Sequence, residues 1–182
     1  MEISLIRHGE AAATWSESAD PGLSHLGQQQ AEDAAEALQP YVDGDTLLFS
    51  SPLQRALETS VPLASLLRMD VIVEDVFREI PSPVPLAERQ VWLRQFMQQQ
   101  WVGQGDALIA WRAAALQRLL ALTQPAVIFT HFLLINAVVG ELLDRPETLC
   151  CWPANGSITR LRHNGTSLEL IALGDQIQTT VN

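Results

Sequence analysis

The sequence predicts an α/β protein, built as a three-layer α/β/α sandwich around a mostly parallel sheet. Short apolar runs bounded by turn residues alternate with longer segments of helical periodicity, a pattern typical of this class. Asn164-Gly165 separates the last two apolar runs and is a strong hairpin signal, so we expect an antiparallel pair at one edge of the sheet. A length of 182 residues favours a single domain over 1–182 with one sizeable core.

Six short runs have the composition of strands. Each is rich in aliphatic or β-branched residues and is followed by polar or turn residues. In chain order the predicted strands are Ile3–Ile6, Thr46–Ser50, Val71–Val73, Ala126–Thr130, Ser157–Arg162 and Leu168–Leu173.

Helical periodicity follows the first two predicted strands. Over His25–Leu38 small and apolar residues recur on one face, and Ser24 is a suitable N-cap. After the second strand, Ser51 is placed to cap a helix whose first position is Pro52. We expect Pro62 to kink or split that helix, because proline removes a backbone donor and clashes with the preceding turn.

The longest excursion from the sheet is a helical insertion at about 81–124. It contains two helical patterns, Leu86–Gln100 and Asp106–Leu122, separated by Gly103 and Gly105. Two interpretations stay open for this segment. It is either a lid over a site at the strand ends or one crossover with an extra helix.

Charge and composition exclude several classes of partner. The chain has 21 acidic residues against 11 basic ones, a net charge of −10, and all 11 cations are arginine. Nucleic acids and anionic membranes demand clustered cations, so neither partner is expected. The two cysteines are the neighbours Cys150 and Cys151, which fit a reducing compartment and lack a metal-site spacing. Without a signal-peptide or membrane-span pattern, we expect a cytoplasmic protein. We also expect the protein to need no metal and no cofactor.

Polar residues follow the predicted strands at the edge where α/β sheets bind ligands. Arg7 and His8 follow the first strand, with Gly9 next to allow close approach of backbone to ligand. His131 follows the fourth strand and precedes a helix. Arg55 lies in the first helical turn after the second strand, where the helix dipole disfavours a cation unless an anion is bound. These positions indicate a site for a phosphate group.

Four motifs occur in the order shown by a known family. They are LIRHGEA with the downstream GLSHLGQQQA, then SSPLQRALETS, a glutamate after the third strand, and VIFTH before a helix. On these motifs the chain, from Ile3 to about Gly140, resembles the histidine phosphatase superfamily, whose fold is phosphoglycerate-mutase-like.

The resemblance implies a role for each matching residue. His8 would be the nucleophile, its second ring nitrogen held by a nearby backbone carbonyl, and Arg7 and Arg55 would clamp the phosphate. His131 would be the second histidine of the site, a further donor to phosphate. The acid/base carboxylate falls on Glu79. Together Arg7, Arg55 and His131 would supply the positive charge that a metal ion supplies in other phosphatases.

Three features of the site can be interpreted in more than one way. Glu74 and Asp75 lie close to the expected acid/base carboxylate in the sequence. Trp15 and Ser16 would either line the substrate entrance or belong to a flexible loop. Phe132 stands where the family's second histidine is often followed by glycine; its backbone N–H stays available to an oxyanion, while its ring would narrow or redirect the pocket.

The expected function is a metal-independent phosphatase that hydrolyses a small phosphomonoester through a phosphohistidine on His8, with Glu79 as general acid and base. Phosphoglycerate-mutase-like transfer is an alternative, disfavoured because a chain without lysine lacks one common way of holding a second anionic group. A protein phosphohistidine phosphatase and a non-catalytic phosphate-binding regulatory module are two further candidate functions. The expected partner is a small phosphorylated metabolite; the substrate and the oligomeric state stay open.

Overall fold

The computed structural model describes residues 1–13 and 20–177, and within them six strands form one open sheet. Trp15 and Ser16, the residues considered for the substrate entrance, lie outside the described residues. The sheet order is β3-β2-β4-β1-β5-β6. The strands are β1 (Glu2–Arg7), β2 (Leu47–Ser50), β3 (Val71–Val73), β4 (Ala126–Thr130), β5 (Ile158–His163) and β6 (Leu168–Ala172).

The sheet is mixed in the way the sequence predicts. β1 pairs in parallel with β4, β4 with β2, and β2 with β3. β5 runs antiparallel to β1, and β6 runs antiparallel to β5. The hairpin between β5 and β6 turns over residues 164–167, where Gly165 takes the left-handed φ of 103° that favours glycine. The antiparallel edge pair is therefore confirmed.

Five α-helices cover the two faces of the sheet in the described part of the chain. Because side chains alternate along a strand, Leu5 of β1 enters the core under α4 and α5, whereas Ile6 enters the core under α1 and α2. The three-layer α/β/α class is confirmed. The helices are α1 (His25–Leu38), α2 (Gln54–Leu67), α3 (Arg89–Phe96), α4 (Asp106–Leu120) and α5 (Phe132–Leu142).

The predicted ends of the first two helices can be compared with the observed ends. α1 has the predicted bounds, and the Ser24 side chain caps it by accepting a hydrogen bond from Gly27 N–H at 3.0 Å. The prediction for α2 is wrong, because the helix begins at Gln54 and not at Pro52. The helix also continues past Pro62 without a break, since its packing against α1 and the sheet offsets the lost backbone bond.

The insertion at 81–124 is a crossover with an extra helix. α4 packs on α5 as the crossover between β3 and β4, and α3 is the additional helix. α3 is shorter than the predicted Leu86–Gln100, because a 3₁₀ turn precedes it and the hydroxyl of Thr148 donates to the carbonyl of its last residue, Phe96. In the described residues no helix is both long and apolar enough to cross a lipid bilayer.

Candidate active site

The carboxyl ends of β1, β4 and β2 meet at one edge of the sheet. The register places Arg7 beside Thr130. Backbone hydrogen bonds continue past the strands, from His8 N–H to Thr130 O and from Ser51 N–H to Phe129 O, each at 3.0 Å. The ladder therefore fixes the backbone of the residues that leave the sheet, and the rings of His8 and His131 lie with centroids 5.1 Å apart.

Both ring nitrogens of His8 have a defined partner. Nδ1 lies 2.7 Å from the carbonyl oxygen of Gly9, and Nε2 lies 3.1 Å from the Nε–H of Arg55. A carbonyl requires a donor and a guanidinium requires an acceptor, so we assign the proton to Nδ1 and the lone pair to Nε2. Burial, followed by the charge of Arg55, lowers the pKa of His8 to about 3, which keeps the ring neutral.

The loop that carries His8 is held from three sides. Gly9 N–H donates to the Thr59 hydroxyl at 3.0 Å, and the Asn155 side chain donates to His8 O at 2.9 Å. A Cβ on Gly9 would lie 2.3 Å from the carbonyl oxygen of Gly27 in α1. The expectation that Gly9 admits a ligand is thus corrected: its missing side chain admits the backbone of α1.

Two arginines lie near His8. Arg55 is the second residue of α2 and is 2% exposed, and its Nη1 lies 3.7 Å from the Asp20 carboxylate. Arg7 donates from Nη1 to Pro153 O at 2.7 Å. Burial lowers the pKa of both guanidinium groups, that of Arg7 to about 10, and both stay cationic at neutral pH. One buried and one half-buried cation beside a neutral histidine form an environment that attracts an anion.

His131 is fully buried at the N-cap of α5. Its Nε2 lies 2.7 Å from the Ser51 hydroxyl, while Nδ1 has no hydrogen-bond partner in the described residues. The same is true of Arg7 Nε. Burial, then the charges of His8 and Arg55, hold the pKa of His131 well below its ordinary value. Buried polar atoms normally have partners, so these two atoms are exceptions close to His8.

The carboxyl group of Glu79 lies at the N-terminus of α5. Its Oε1 accepts from Ile80 N–H at 3.0 Å and from Leu133 N–H at 3.2 Å. Burial raises the pKa of Glu79, although these backbone donors and the charge of Arg55 oppose the shift. Thr130 supports the segment from the sheet, because its hydroxyl donates to Phe77 O at 2.8 Å.

The two neighbouring carboxylates are engaged elsewhere. Glu74 pairs with Arg118 through two hydrogen bonds of 2.7 and 2.8 Å. Asp75 pairs with Arg78 at 3.0 Å and has an 81% exposed side chain. Of the three candidates in the sequence, Glu79 is therefore the buried one, and it lies at the N-terminus of α5.

The ring of Phe132 covers Arg7, with the ring centroid 5.0 Å from Cζ of the guanidinium. The next residue of the helix, Leu133, donates its N–H to Glu79. The first turn of α5 therefore binds the Glu79 carboxyl group through a backbone N–H and packs against the Arg7 guanidinium through an aromatic ring. Binding of an oxyanion by the Phe132 N–H stays a prediction.

A cavity of about 440 Å³ opens beside Arg55 and Glu79. The insertion supplies one of its walls through Leu86, Arg89 and Trp111. The insertion is therefore next to the site as well as being a crossover; its closure as a lid stays a prediction.

Sequence reasoning missed four residues of this arrangement. Thr59 lies one helical turn after Arg55, so its position was available from helical spacing. Ser51 holds His131 instead of capping α2. Asn155 lies 147 residues from His8, and Arg89 lies in the insertion, so no local pattern could assign either of them.

The fold and the site define a class, an open α/β sheet with histidines and arginines gathered at adjoining strand ends. The chain belongs to the histidine phosphatase superfamily, branch 1, whose family model matches residues 3–176. This match extends the resemblance beyond the motifs of the sequence to nearly the whole chain.

Two curated proteins are similar to this chain over different lengths. The probable phosphoglycerate mutase of Proteus mirabilis is 25% identical over 167 residues, 80% of this chain and 76% of that protein. A bifunctional protein of Mycobacterium tuberculosis is 39% identical over 75 residues, 39% of this chain and 20% of that protein. The match thus spans about a fifth of the bifunctional relative.

Solved structures with this fold cover almost the whole chain. A mycobacterial glucosyl-3-phosphoglycerate phosphatase superposes with a TM-score of 0.72 at 24% identity, covering 96% of this chain and 99% of that one. Phosphoserine phosphatase from Entamoeba histolytica superposes with a TM-score of 0.73 at 22% identity, covering 97% and 98%. At these identities the two structures establish the fold alone.

Proposed function

We propose that this protein is a phosphatase that hydrolyses a small phosphomonoester through a phosphohistidine on His8, with Glu79 as general acid and base. Family membership and the names of the similar proteins support phosphoryl hydrolysis or transfer. The observation that carries the proposal is the state of His8: a neutral ring with its Nδ1–H bound to Gly9 O and its Nε2 lone pair 3.1 Å from Arg55.

In the first step, the Nε2 lone pair of His8 attacks phosphorus in line with the ester oxygen. The phosphate takes over the Arg55 donor that contacts Nε2 in this structure. The P–O bond breaks, and Glu79 gives its proton to the departing oxygen. Burial raises the pKa of Glu79, so the proton is present at a higher pH than for an exposed glutamate.

The second step returns the enzyme to its starting state. The Glu79 carboxylate takes a proton from water, and the resulting hydroxide attacks phosphorus as the Nε2–P bond breaks. Inorganic phosphate leaves, Glu79 is protonated again, and His8 keeps its proton on Nδ1. Throughout, the planar donors of Arg7 and Arg55 bind the equatorial oxygens, and His131 donates once a dianion has raised its pKa. Such a site supplies the positive charge without a metal ion.

Phosphoryl labelling tests the proposal directly. Incubation with a labelled phosphoryl donor should give an acid-labile, base-stable protein label that is lost in His8→Ala. His25→Ala is the matched control, because His25 is exposed on α1 and should keep both label and turnover. A phosphomonoester panel with chelator present should release inorganic phosphate. Absence of both label and turnover would favour a non-catalytic phosphate-binding module.

A mutase is the second candidate, favoured by the name of the Proteus mirabilis relative. Hydrolysis sends the phosphoryl group to water, whereas a mutase returns it to another hydroxyl of the organic product. Product analysis on a phosphorylated diol acid separates the two outcomes, since inorganic phosphate indicates hydrolysis and a positional isomer indicates mutase activity.

A further inference from the structure

The two cysteines of the chain contact the same residue of α5. Sγ of Cys150 lies 3.7 Å from the carbonyl oxygen of Asn136, and Sγ of Cys151 lies 3.4 Å from Oδ1 of the same residue. That Oδ1 also accepts from the backbone N–H groups of both cysteines, each at 2.9 Å. Asn136 therefore contacts both free thiols and fixes the peptide between them. The proposed phosphatase reaction uses neither thiol.

The two thiols differ in exposure and in acidity. Cys150 is half-buried, whereas Cys151 is 4% exposed. A hydrogen bond with the Cys151 side chain, followed by the charge of Arg145, lowers the pKa of the Cys150 thiol, although burial opposes the shift. The same hydrogen bond raises the pKa of Cys151. A more acidic and more accessible thiol beside a buried one is the usual arrangement of an attacking cysteine and a resolving cysteine.

Two series of direct contacts lead from the cysteines to the Arg7 guanidinium. Along the chain, Pro153 follows the pair after one residue, and its carbonyl oxygen accepts from Arg7 Nη1 at 2.7 Å. Through α5, the Asn136 side chain donates to Phe132 O at 3.0 Å, and the ring of Phe132 covers the Arg7 guanidinium. A shift of the backbone at the cysteines would therefore act on Arg7 from two sides.

We propose that Cys150 and Cys151 are a modification site, oxidised to a disulfide by hydroperoxides and restored by thiols. The disulfide loosens the hydrogen bond between Pro153 O and the Arg7 guanidinium. Adjacent Cα atoms are about 3.8 Å apart across a trans peptide, whereas ordinary disulfides join Cα atoms about 4.4–6.8 Å apart. The bond therefore strains the backbone, and strained disulfides are the ones that are readily reduced again.

The oxidation needs a hydroperoxide as its only co-reactant. The Cys150 thiolate attacks the terminal peroxide oxygen, the O–O bond breaks, and a sulfenic acid forms on Cys150 as an alcohol or water departs. The Cys151 sulfur then attacks the Cys150 sulfur, the S–O bond breaks, and water leaves. The two thiols together lose two electrons and two protons. Two small thiols return them by exchange and become a disulfide themselves.

Mass spectrometry of the full chain after treatment with hydrogen peroxide tests the modification. The peptide that carries both cysteines should lose two hydrogen atoms, stop reacting with a maleimide, and recover both thiols in dithiothreitol. Because the chain has no other cysteine, single variants leave one thiol to follow. In Cys151→Ser the reaction should stop at a sulfenic acid on Cys150 that dimedone traps. In Cys150→Ser the remaining thiol should oxidise more slowly by about tenfold or more.

Three outcomes would overturn the modification site. They are thiols that stay unchanged in the wild type, a disulfide that forms only between two chains, and equal oxidation rates in the two single variants. The wild-type measurement stands by itself if a variant fails to fold.

Amide hydrogen exchange tests the effect on Arg7 without any ligand. In the reduced protein Ala154 N–H donates to Asp175 O at 2.7 Å, and Gly156 N–H donates to Arg7 O at 2.9 Å. Oxidation should speed exchange of both N–H groups by about tenfold or more, because the strained segment opens more often. Cys150→Ser is the matched control, since peroxide still reaches its three methionines and the exchange rates should stay unchanged. Equal exchange in oxidised and reduced wild type would overturn the link to Arg7.

Turnover separates this inference from the proposed function, on which only the effect on catalysis rests. The disulfide should lower kcat/KM for a phosphomonoester by about tenfold, the scale of one hydrogen bond to a charged group, and dithiothreitol should restore it. Cys150→Ser should keep its activity in peroxide. If the reduced protein turns over nothing while the disulfide and the faster exchange are present, the phosphatase proposal fails and the modification site stands. Unchanged kcat/KM in fully oxidised protein would overturn the effect on Arg7.

Discussion

The cluster of residues at the strand ends and the wall formed by the insertion are built differently, although Arg55 of the cluster lines the same cavity as the insertion wall. His8, Arg55 and His131 are each at most 5% exposed, and strand hydrogen bonds extend to the loop behind them. On the wall, Leu86 is 43% exposed, and Arg89 is half-buried. Rigid, buried groups suit the demands of bond breaking, whereas a more exposed wall can vary without disturbing the sheet.

Substitution of Arg55 gives the largest expected effect among the groups around His8. Arg55→Gln should lower kcat/KM by about 10²- to 10³-fold, because it removes a phosphate donor and the partner of His8 Nε2. Since the charge of Arg55 lowers the pKa of His8, the variant should also lose activity at a higher acidic pH than the wild type.

Steady-state kinetics over a pH series measures both effects. Arg55→Lys is the informative companion variant, because it keeps the charge and loses the planar fork. Its kcat/KM should stay well below that of the wild type while its acidic limb stays in place. Full activity in Arg55→Lys would contradict the proposal that the planar guanidinium of Arg55 binds the phosphate oxygens.

Substitution of Glu79 has the next largest expected effect. The loss of rate should differ between alkyl phosphates and activated aryl phosphates. Glu79→Gln should slow alkyl phosphates by about 10²- to 10⁴-fold, because their leaving oxygen needs a proton. Activated aryl phosphates should lose about tenfold or less, since their leaving group departs as an anion. Rate measurements on phenyl and nitrophenyl phosphates against ethyl phosphate check this, and equal losses on all of them would remove Glu79 from the role of acid.

The dependence of kcat/KM on pH is expected to be a smaller effect. The pKa shifts of His8 and Glu79 set its direction. The pKa of His8 is lowered to about 3, so its ring stays neutral from pH 7 to pH 5. An ordinary histidine would keep only about 3% of the neutral form at pH 5. The pKa of Glu79 is raised, so the protonated acid persists at low pH and is lost on the alkaline side.

We therefore expect kcat/KM, corrected for substrate ionisation, not to fall between pH 7 and pH 5 and to fall at alkaline pH. The alkaline limb should vanish in Glu79→Gln. A roughly 25-fold fall from pH 7 to pH 5 would show that His8 titrates as an ordinary histidine.

Substitution of Leu86 has the smallest expected effect. It tests whether the cavity wall formed by the insertion contacts the substrate. Leu86→Ala should raise KM by about two- to fourfold with kcat unchanged, because it removes apolar contact made equally in the ground and transition states. Val91→Ala is the control, since Val91 is exposed on α3 outside the cavity wall. A fall in kcat without a change in KM would move Leu86 from binding to chemistry.

Features that depend on neighbouring residues are predicted correctly from the sequence. The alternating pattern predicts the sheet and its helices, the Asn164-Gly165 pair predicts the edge hairpin, and Ser24 caps α1 as expected. Features are predicted wrongly where tertiary contacts compete with local preference. Ser51 is a good N-cap residue by type, yet its hydroxyl contacts His131, and the helix begins later.

By itself the sequence determined which residues leave the strands, because a strand end is marked by the residues around it. Arg7, His8 and His131 follow directly from that order. Only the tertiary structure decided their protonation and their partners, because both depend on burial and on groups distant in the chain. Asn155 against the His8 loop and Arg89 beside Glu79 arise from segments that the fold brings to one edge of the sheet.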